Sequence, residues 1–216
     1  TFRYFCLTNM PATKSDISID SQVISRVYGK GRGSVFTPND FSDLGAYTAV
    51  AKSLSRYAKA GTIRRLAPGV YDYPATHPLT GTLSPSPEKV ARALAGRDAT
   101  KLQPAGAYAA NLLGLSEQVP MRVIFLTDGH SRKVKVGTME ILLRHSSTRF
   151  LSTRTEIGGL IIQALRHIGK DHVSDREYAI LLKRIPAKAR KEMLADIRRA
   201  PVWIANIMRK LAAEPE

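Results

Sequence analysis

Thr48, Lys52, Ser55 and Arg56 recur at spacings of three and four residues and therefore share one side of a helix. The opposite side of the same stretch carries Val50, Leu54, Tyr57 and Ala58. Two cations and two hydroxyls on one face can donate hydrogen bonds to phosphate oxygens, and Lys or Arg can also reach guanine O6 and N7 in a major groove. A solvated helix face uses the same residue types, so the neighbours decide between the two readings. Arg64 and Arg65 follow on a β-prone run, where a hairpin could set them against phosphates. Consecutive strand residues point to opposite faces, so only one of these two is expected to face such a partner fully. Arg132, Lys133 and Lys135 open a later strand and form a possible second basic contact surface.

Periodicity predicts the elements that would hold these side chains. Val23, Ile24 and Val27 settle into helical spacing from Asp20, giving a helix over 18–29 that stops at Gly29. Gly29-Lys30-Gly31-Arg32-Gly33 then reads as a basic loop, and Ser34-Val35-Phe36 as a short extended piece. In Thr37-Pro38-Asn39-Asp40 a hydroxyl N-cap, a proline at the first helical position and an acid at the third open a second, short helix over 38–43. The third helix spans 46–60, closed by Gly61. Two β-prone runs, Thr62 to Leu66 and Val70 to Tyr73, flank Ala67-Pro68-Gly69 as a hairpin. Helix, strand, helix, helix and hairpin in that order predict a winged helix-turn-helix over 17–74.

Pro74, just before it, and Pro78, Pro85 and Pro87 within it, among Thr, Ser and Gly, make 75–87 a linker candidate, which leaves 88–216 as a second domain. There a helix is expected from Ser86 through Leu94, and a small-residue helix over 104–113. Strand-like runs over 121–127 and 133–144, turned at Asp128-Gly129 and Gly137, suggest a three-stranded antiparallel meander. From Thr155 the apolar spacing becomes helical up to Gly169, and three more helices are expected near 174–185, 187–199 and 202–212. The fold class expected is α+β: an N-terminal winged helix-turn-helix, then a mixed domain with a small antiparallel sheet and a C-terminal helical bundle. Residues 1–16 read as an extended or disordered segment, with Met10 the expected start of translation. Thr1 to Asn9 is too short and polar for a signal peptide.

Charge narrows the range of partners. Lys and Arg number 33 against 18 Asp and Glu, a formal net charge of +15 over 216 residues. Ten basic and five acidic side chains precede Pro74, and twenty-three and thirteen follow it, so both halves are basic. A polyanionic partner is the physical expectation. One cysteine, Cys6, rules out an internal disulfide and fits a reducing, cytoplasmic setting. No apolar run approaches the roughly 18 residues of a membrane span, so no membrane partner is expected.

Other chemistry fits the residues less well. The Gly29 to Gly33 loop lacks the phosphate-binding GxxxxGK[ST] pattern, and it follows a helix where a dinucleotide fingerprint would follow a strand. Asp40 and Asp43 could suggest two-metal nucleotidyl transfer, but they fall in a capped helical turn. Asp40 is better explained as a helix-start residue. His77, His130, His145, His167 and His172 show no metal-ligand spacing. No catalytic centre, metal site or cofactor is expected.

The stretch Ser53-Leu54-Ser55-Arg56-Tyr57, leading through Gly61-Thr62-Ile63-Arg64-Arg65-Leu66-Ala67-Pro68-Gly69-Val70-Tyr71, resembles the AbiEi-type antitoxins of abortive-infection toxin–antitoxin systems. Ser86-Pro87-Glu88, the block from Gln103 to Leu115, Phe125-Leu126-Thr127-Asp128-Gly129 and Ala200-Pro201-Val202-Trp203-Ile204 extend the likeness over about residues 17–210. The block from Gln103 to Leu115 is its most specific part, because no general folding rule demands it. The resemblance implies a bacterial antitoxin that represses its own operon, binding double-stranded DNA at inverted repeats of its promoter. It also implies a nucleotidyltransferase-like AbiEii-type toxin as functional partner, with direct contact left open. No base-contacting residue follows from it. An RNA- or toxin-binding module, whose winged domain serves protein or RNA contact, is the alternative.

Overall fold

The computed structural model describes residues 18–96, 101–147, 151 and 153–214. The expectations for residues 1–16, Met10 and Cys6 therefore lie outside the described residues. Among the described residues the fold is α+β, with eight α-helices of defined extent and small sheets.

Helix α1, Ile19–Lys30, begins at Ser18, whose hydroxyl accepts the Ser21 N–H, and ends before Gly31 at φ +77°. Strand β1, Ser34–Phe36, follows. The expected helix over 38–43 is a single 3-10 turn, Pro38–Phe41. Its start agrees with the expected capping: the Thr37 N–H and hydroxyl both donate to Asp40. Its extent is shorter than expected, because Phe41 anchors in the core and the chain leaves through Ser42 to Gly45. Helix α2, Tyr47–Lys59, lays Val50 and Leu54 against Val23 and Val27 of α1. Strands β2, Arg64–Ala67, and β3, Val70–Tyr73, form the hairpin, with a register shift between Arg65 and Ala67. β1 pairs antiparallel with β3, so the sheet order is β1-β3-β2.

Residues 75–87 contain a small hairpin, β4 (Thr76–His77) and β5 (Gly81–Thr82). Apolar packing also crosses this boundary. Helix α3, Pro87–Ala95, buries Val90, Ala91 and Leu94 in one cluster with Ala67 and Val70 of the β2–β3 hairpin. The same cluster takes in Phe125, Ile141 and Leu143 from the larger sheet.

That sheet corrects two expectations. The helix expected over 104–113 begins instead as strand β6, Leu102–Ala105, followed by helix α4, Gly106–Leu112. Pro104 has no N–H to give a ladder, and β6 is an edge strand where that lack is tolerated. The three-stranded meander is instead part of a four-stranded sheet. β7 (Arg122–Thr127), β8 (Arg132–Val136) and β9 (Met139–His145) join β6 in the order β6-β7-β9-β8. β7 runs parallel to β9, and the other two pairs are antiparallel. The continuous apolar run Val123 to Leu126 suits an inner strand covered on both faces, which a meander edge would not be.

The C-terminal part is helical: α5 (Glu156–Ile168), α6 (Asp175–Arg184), α7 (Ala187–Glu192) and α8 (Val202–Ala213). The helix expected over 187–199 changes at Met193 into a 3-10 segment, Met193–Arg199. Asp196 of that segment is fully buried and accepts the Arg154 N–H (2.6 Å), the Thr155 N–H (3.0 Å) and the Thr155 hydroxyl (2.7 Å). The Thr155 hydroxyl in turn accepts the Gly158 N–H at the start of α5. Charge-assisted hydrogen bonds contribute about 1.5–3 kcal/mol each, and they are not additive. Asp196→Ala is therefore expected to destabilise the chain by about 3 kcal/mol, read as a lower midpoint in urea unfolding with unchanged slope.

Candidate nucleic-acid interface

Helix α2 presents the set of side chains singled out by its spacing. Thr48, Lys52 and Arg56 are exposed and Ser55 is half-buried, while Ser53 and Leu54 turn inward. The helix begins at Ala46, which supplies no capping side chain, so its leading N–H groups have no side-chain cap. The outward side of the first two turns thus offers backbone donors, the Thr48 hydroxyl and the Lys52 ammonium. Lys52 makes no ion pair among the described residues.

Arg56 is placed differently. Its guanidinium pairs with Asp20 at 2.5 Å, while the Tyr57 hydroxyl donates to the Asp20 carbonyl. Both ties fix the second half of α2 to the start of α1, so Arg56 serves the helix pair as well as the exposed face. Arg26 pairs in the same way with Asp43 at 2.6 Å, which accounts for one of the two acids considered for metal chemistry. The other, Asp40, is held by Thr37. Among the described residues no three His, Cys, Asp or Glu side chains are grouped to hold a metal ion.

On the hairpin, β-strand alternation separates the two arginines. Arg64 donates from Nε to Asp72 Oδ1 (3.0 Å) and from Nη2 to Asp72 Oδ2 (2.6 Å), and also to the Leu83 carbonyl (2.9 Å). Asp72 is 1% exposed. This hydrogen-bonded carboxylate holds the Arg64 pKa above its ordinary value, with burial opposing and charge attraction adding. Arg64 is thus committed to the fold. Arg65 is exposed, with no ion pair among the described residues, and lines a groove with Gly137 and Thr138 of the β8–β9 turn.

A further group beside the hairpin joins residues far apart in the chain. Arg32 lies 4.7 Å above the Tyr73 ring, and Tyr28 packs against the same ring with centroids 5.5 Å apart. The sequence hint was the cation in the Gly29 to Gly33 loop. Its aromatic partner lies 41 positions away and becomes visible only through the β1–β3 pairing.

Residues 22–194 match the model of DUF6088, a family of unknown function. The chain belongs to DUF6088. A comparison with curated proteins gives no match. The matched span begins inside α1 and ends just beyond Met193, so it covers the α2 face, the hairpin and the four-stranded sheet of the DUF6088 chain alike.

In this DUF6088 chain the second basic group divides between two faces of the larger sheet. Arg132 donates to the Leu94 carbonyl (2.8 Å) at the end of α3. Lys133 and Lys135 point the other way, onto the face that also carries Arg122, Glu140 and Arg144. Glu140 accepts from Arg122 (2.6 Å) and pairs with Lys133 (2.5 Å), and these two cations hold its carboxyl below the usual range. Sequence adjacency grouped Arg132 with the two lysines. The sheet register substitutes Arg122 and Arg144, which come from other strands.

Proposed function

We propose that this chain is a DNA-binding transcriptional regulator whose N-terminal unit works as a winged helix-turn-helix. In that reading α2 is the recognition helix, β2 and β3 form the wing, and the turn Pro38–Phe41 stands in for the helix before the recognition helix. The observation that carries it is the combination of element order and free face. A three-stranded sheet ordered β1-β3-β2 closes behind α1 and α2, leaving Thr48 and Lys52 outward and unopposed. Lys52 and the leading N–H groups of α2 suit phosphate and base edges, and Arg65 suits phosphates flanking the groove. The double-stranded DNA would be inverted repeats in the chain's own promoter, as the resemblance to AbiEi-type antitoxins implies.

The same resemblance supports the second part of the proposal: a non-enzymatic, cytoplasmic antitoxin and autorepressor, countering an AbiEii-type toxin encoded beside it. No helix among the described residues is long and apolar enough to cross a membrane. Two experiments address the two parts separately. The full chain should retard a duplex taken from upstream of its own reading frame. Co-expression with the product of the adjacent frame should relieve that product's toxicity. A harmless neighbouring product, or toxicity undiminished by the chain, would remove the antitoxin role and leave DNA binding intact.

A further inference from the structure

A cavity of about 380 Å³ lies between α3, β6, β7 and α5. Its floor is apolar, formed by Leu102, Phe125, Ile157 and Leu160, and its charged groups are Glu88, Arg92 and Glu156. A volume of this order, apolar walls and a few fixed polar groups are typical of small-molecule sites.

The charges are arranged unusually for neighbours. Glu88 and Arg92 stand four residues apart on α3, acid first, the spacing and order that normally favour an ion pair. They do not form one. The Glu88 carboxylate takes the hydrogen bond of the Tyr108 hydroxyl instead. Burial, reinforced by that carboxylate, pushes the Tyr108 phenol well above its ordinary pKa, so it stays protonated and keeps donating. Arg92 and Glu156 line the same cavity without pairing with each other, and neither has another ionic partner among the described residues. Arg92 is thus the one cation lining the cavity, facing two carboxylates without a cationic partner, Glu156 and the Glu88 that holds Tyr108; with the apolar floor they complement a molecule that carries both charges and an apolar body.

Helix α3 also reaches the N-terminal unit. Lys89 donates from Nζ to the Gly33 carbonyl (2.9 Å), and the Gly33 N–H donates to the Tyr73 carbonyl (2.6 Å). Val90 and Ala91 pack in one cluster with Ala67 and Val70. A ligand that shifts Glu88 and Arg92 therefore acts on a helix bonded directly to the loop between α1 and β1.

We infer that this cavity binds a small zwitterion of the α-amino-acid class with an apolar side chain, and that α3 couples its occupancy to the loop at Gly31 to Gly33. Arg92 receives the carboxylate, Glu156 the ammonium, and Phe125, Ile157 and Leu160 the side chain. The inference stands apart from DNA binding and is tested without DNA. The full chain is titrated calorimetrically with L-leucine, L-isoleucine, L-methionine and L-phenylalanine. At least one should bind with a Kd below about 1 mM. Its amide, lacking the carboxylate charge, should bind at least about tenfold more weakly, as should the same amino acid to Arg92→Ala or Glu156→Gln. Both side chains are exposed, so these variants should melt as the parent does. Absence of sub-millimolar binding by all four, or binding indifferent to both substitutions, overturns the site. Ligand-dependent slowing of amide exchange across residues 31–34 is expected, and unchanged exchange there at saturation overturns the coupling.

Discussion

Arg64→Ala should destabilise the fold by about 3 kcal/mol, the lower end of what removing one partner from a buried pair costs. For a chain of this length that is a fall of roughly 6–12 °C in melting temperature. The cause is the group left behind. Asp72 is 1% exposed, and both of its oxygens accept from Arg64, so the variant strands a carboxylate inside the hairpin. The Leu83 carbonyl loses its donor as well, loosening the return of the chain beyond β5. Arg65→Ala, one residue along and exposed, should change stability by no more than about 0.5 kcal/mol. If Arg65 touches phosphate, its loss should weaken binding about equally for every DNA sequence and reduce the salt slope by about one. Thermal melts of the two variants side by side distinguish an arginine held by the fold from one available to a partner. Equal melting temperatures would contradict the separation drawn between them.

The largest effect on binding is expected from Thr48→Ala combined with Lys52→Ala. Each good base or charge-assisted contact discriminates by about 1–3 kcal/mol, so losing two should weaken promoter binding on the order of 100-fold. Neither residue is buried or ion-paired among the described residues, so folding should be unaffected. Arg56→Ala should behave differently. Its guanidinium is held by Asp20, an exposed pair that contributes about 0.2–1 kcal/mol, so the variant should lose modest stability and less affinity than the double variant. Fluorescence anisotropy on a labelled duplex gives the affinities, and urea unfolding gives the stabilities.

Helices α1 and α2 and the start of the Pro38–Phe41 turn were legible because capping chemistry and apolar spacing are local. Asp40 and the stripes Val23, Ile24 and Val27 and Val50, Leu54 and Tyr57 each act within a few residues of the elements they mark. The larger sheet was less legible because its order depends on pairings far apart in the chain. β7 lies beside β9 with β8 outside it, and in the sequence only the continuous apolar run Val123 to Leu126 points to an inner strand. Pro104 misled for a related reason: a run of small residues resembles a helix, while the edge position that tolerates proline in a strand is a tertiary property. Among the candidate contact residues, spacing brought Thr48, Lys52 and Ser55 to one face correctly. It could not show that Arg56 and Arg64 have acidic partners 36 and 8 residues away, or that Arg132 turns from Lys133 and Lys135 toward α3.

DNA recognition by the α2 face is tested most directly by comparing three targets of equal length against the unmodified full chain: the duplex upstream of its reading frame, a scrambled duplex and a single-stranded RNA. Specific binding predicts that the upstream duplex is preferred at least about 1,000-fold at physiological salt. The log affinity should fall with log salt by about 0.9 for each phosphate neutralised. Equal affinity for all three targets would contradict the account, leaving α2 as a basic surface for RNA or protein contact rather than a reader of promoter DNA.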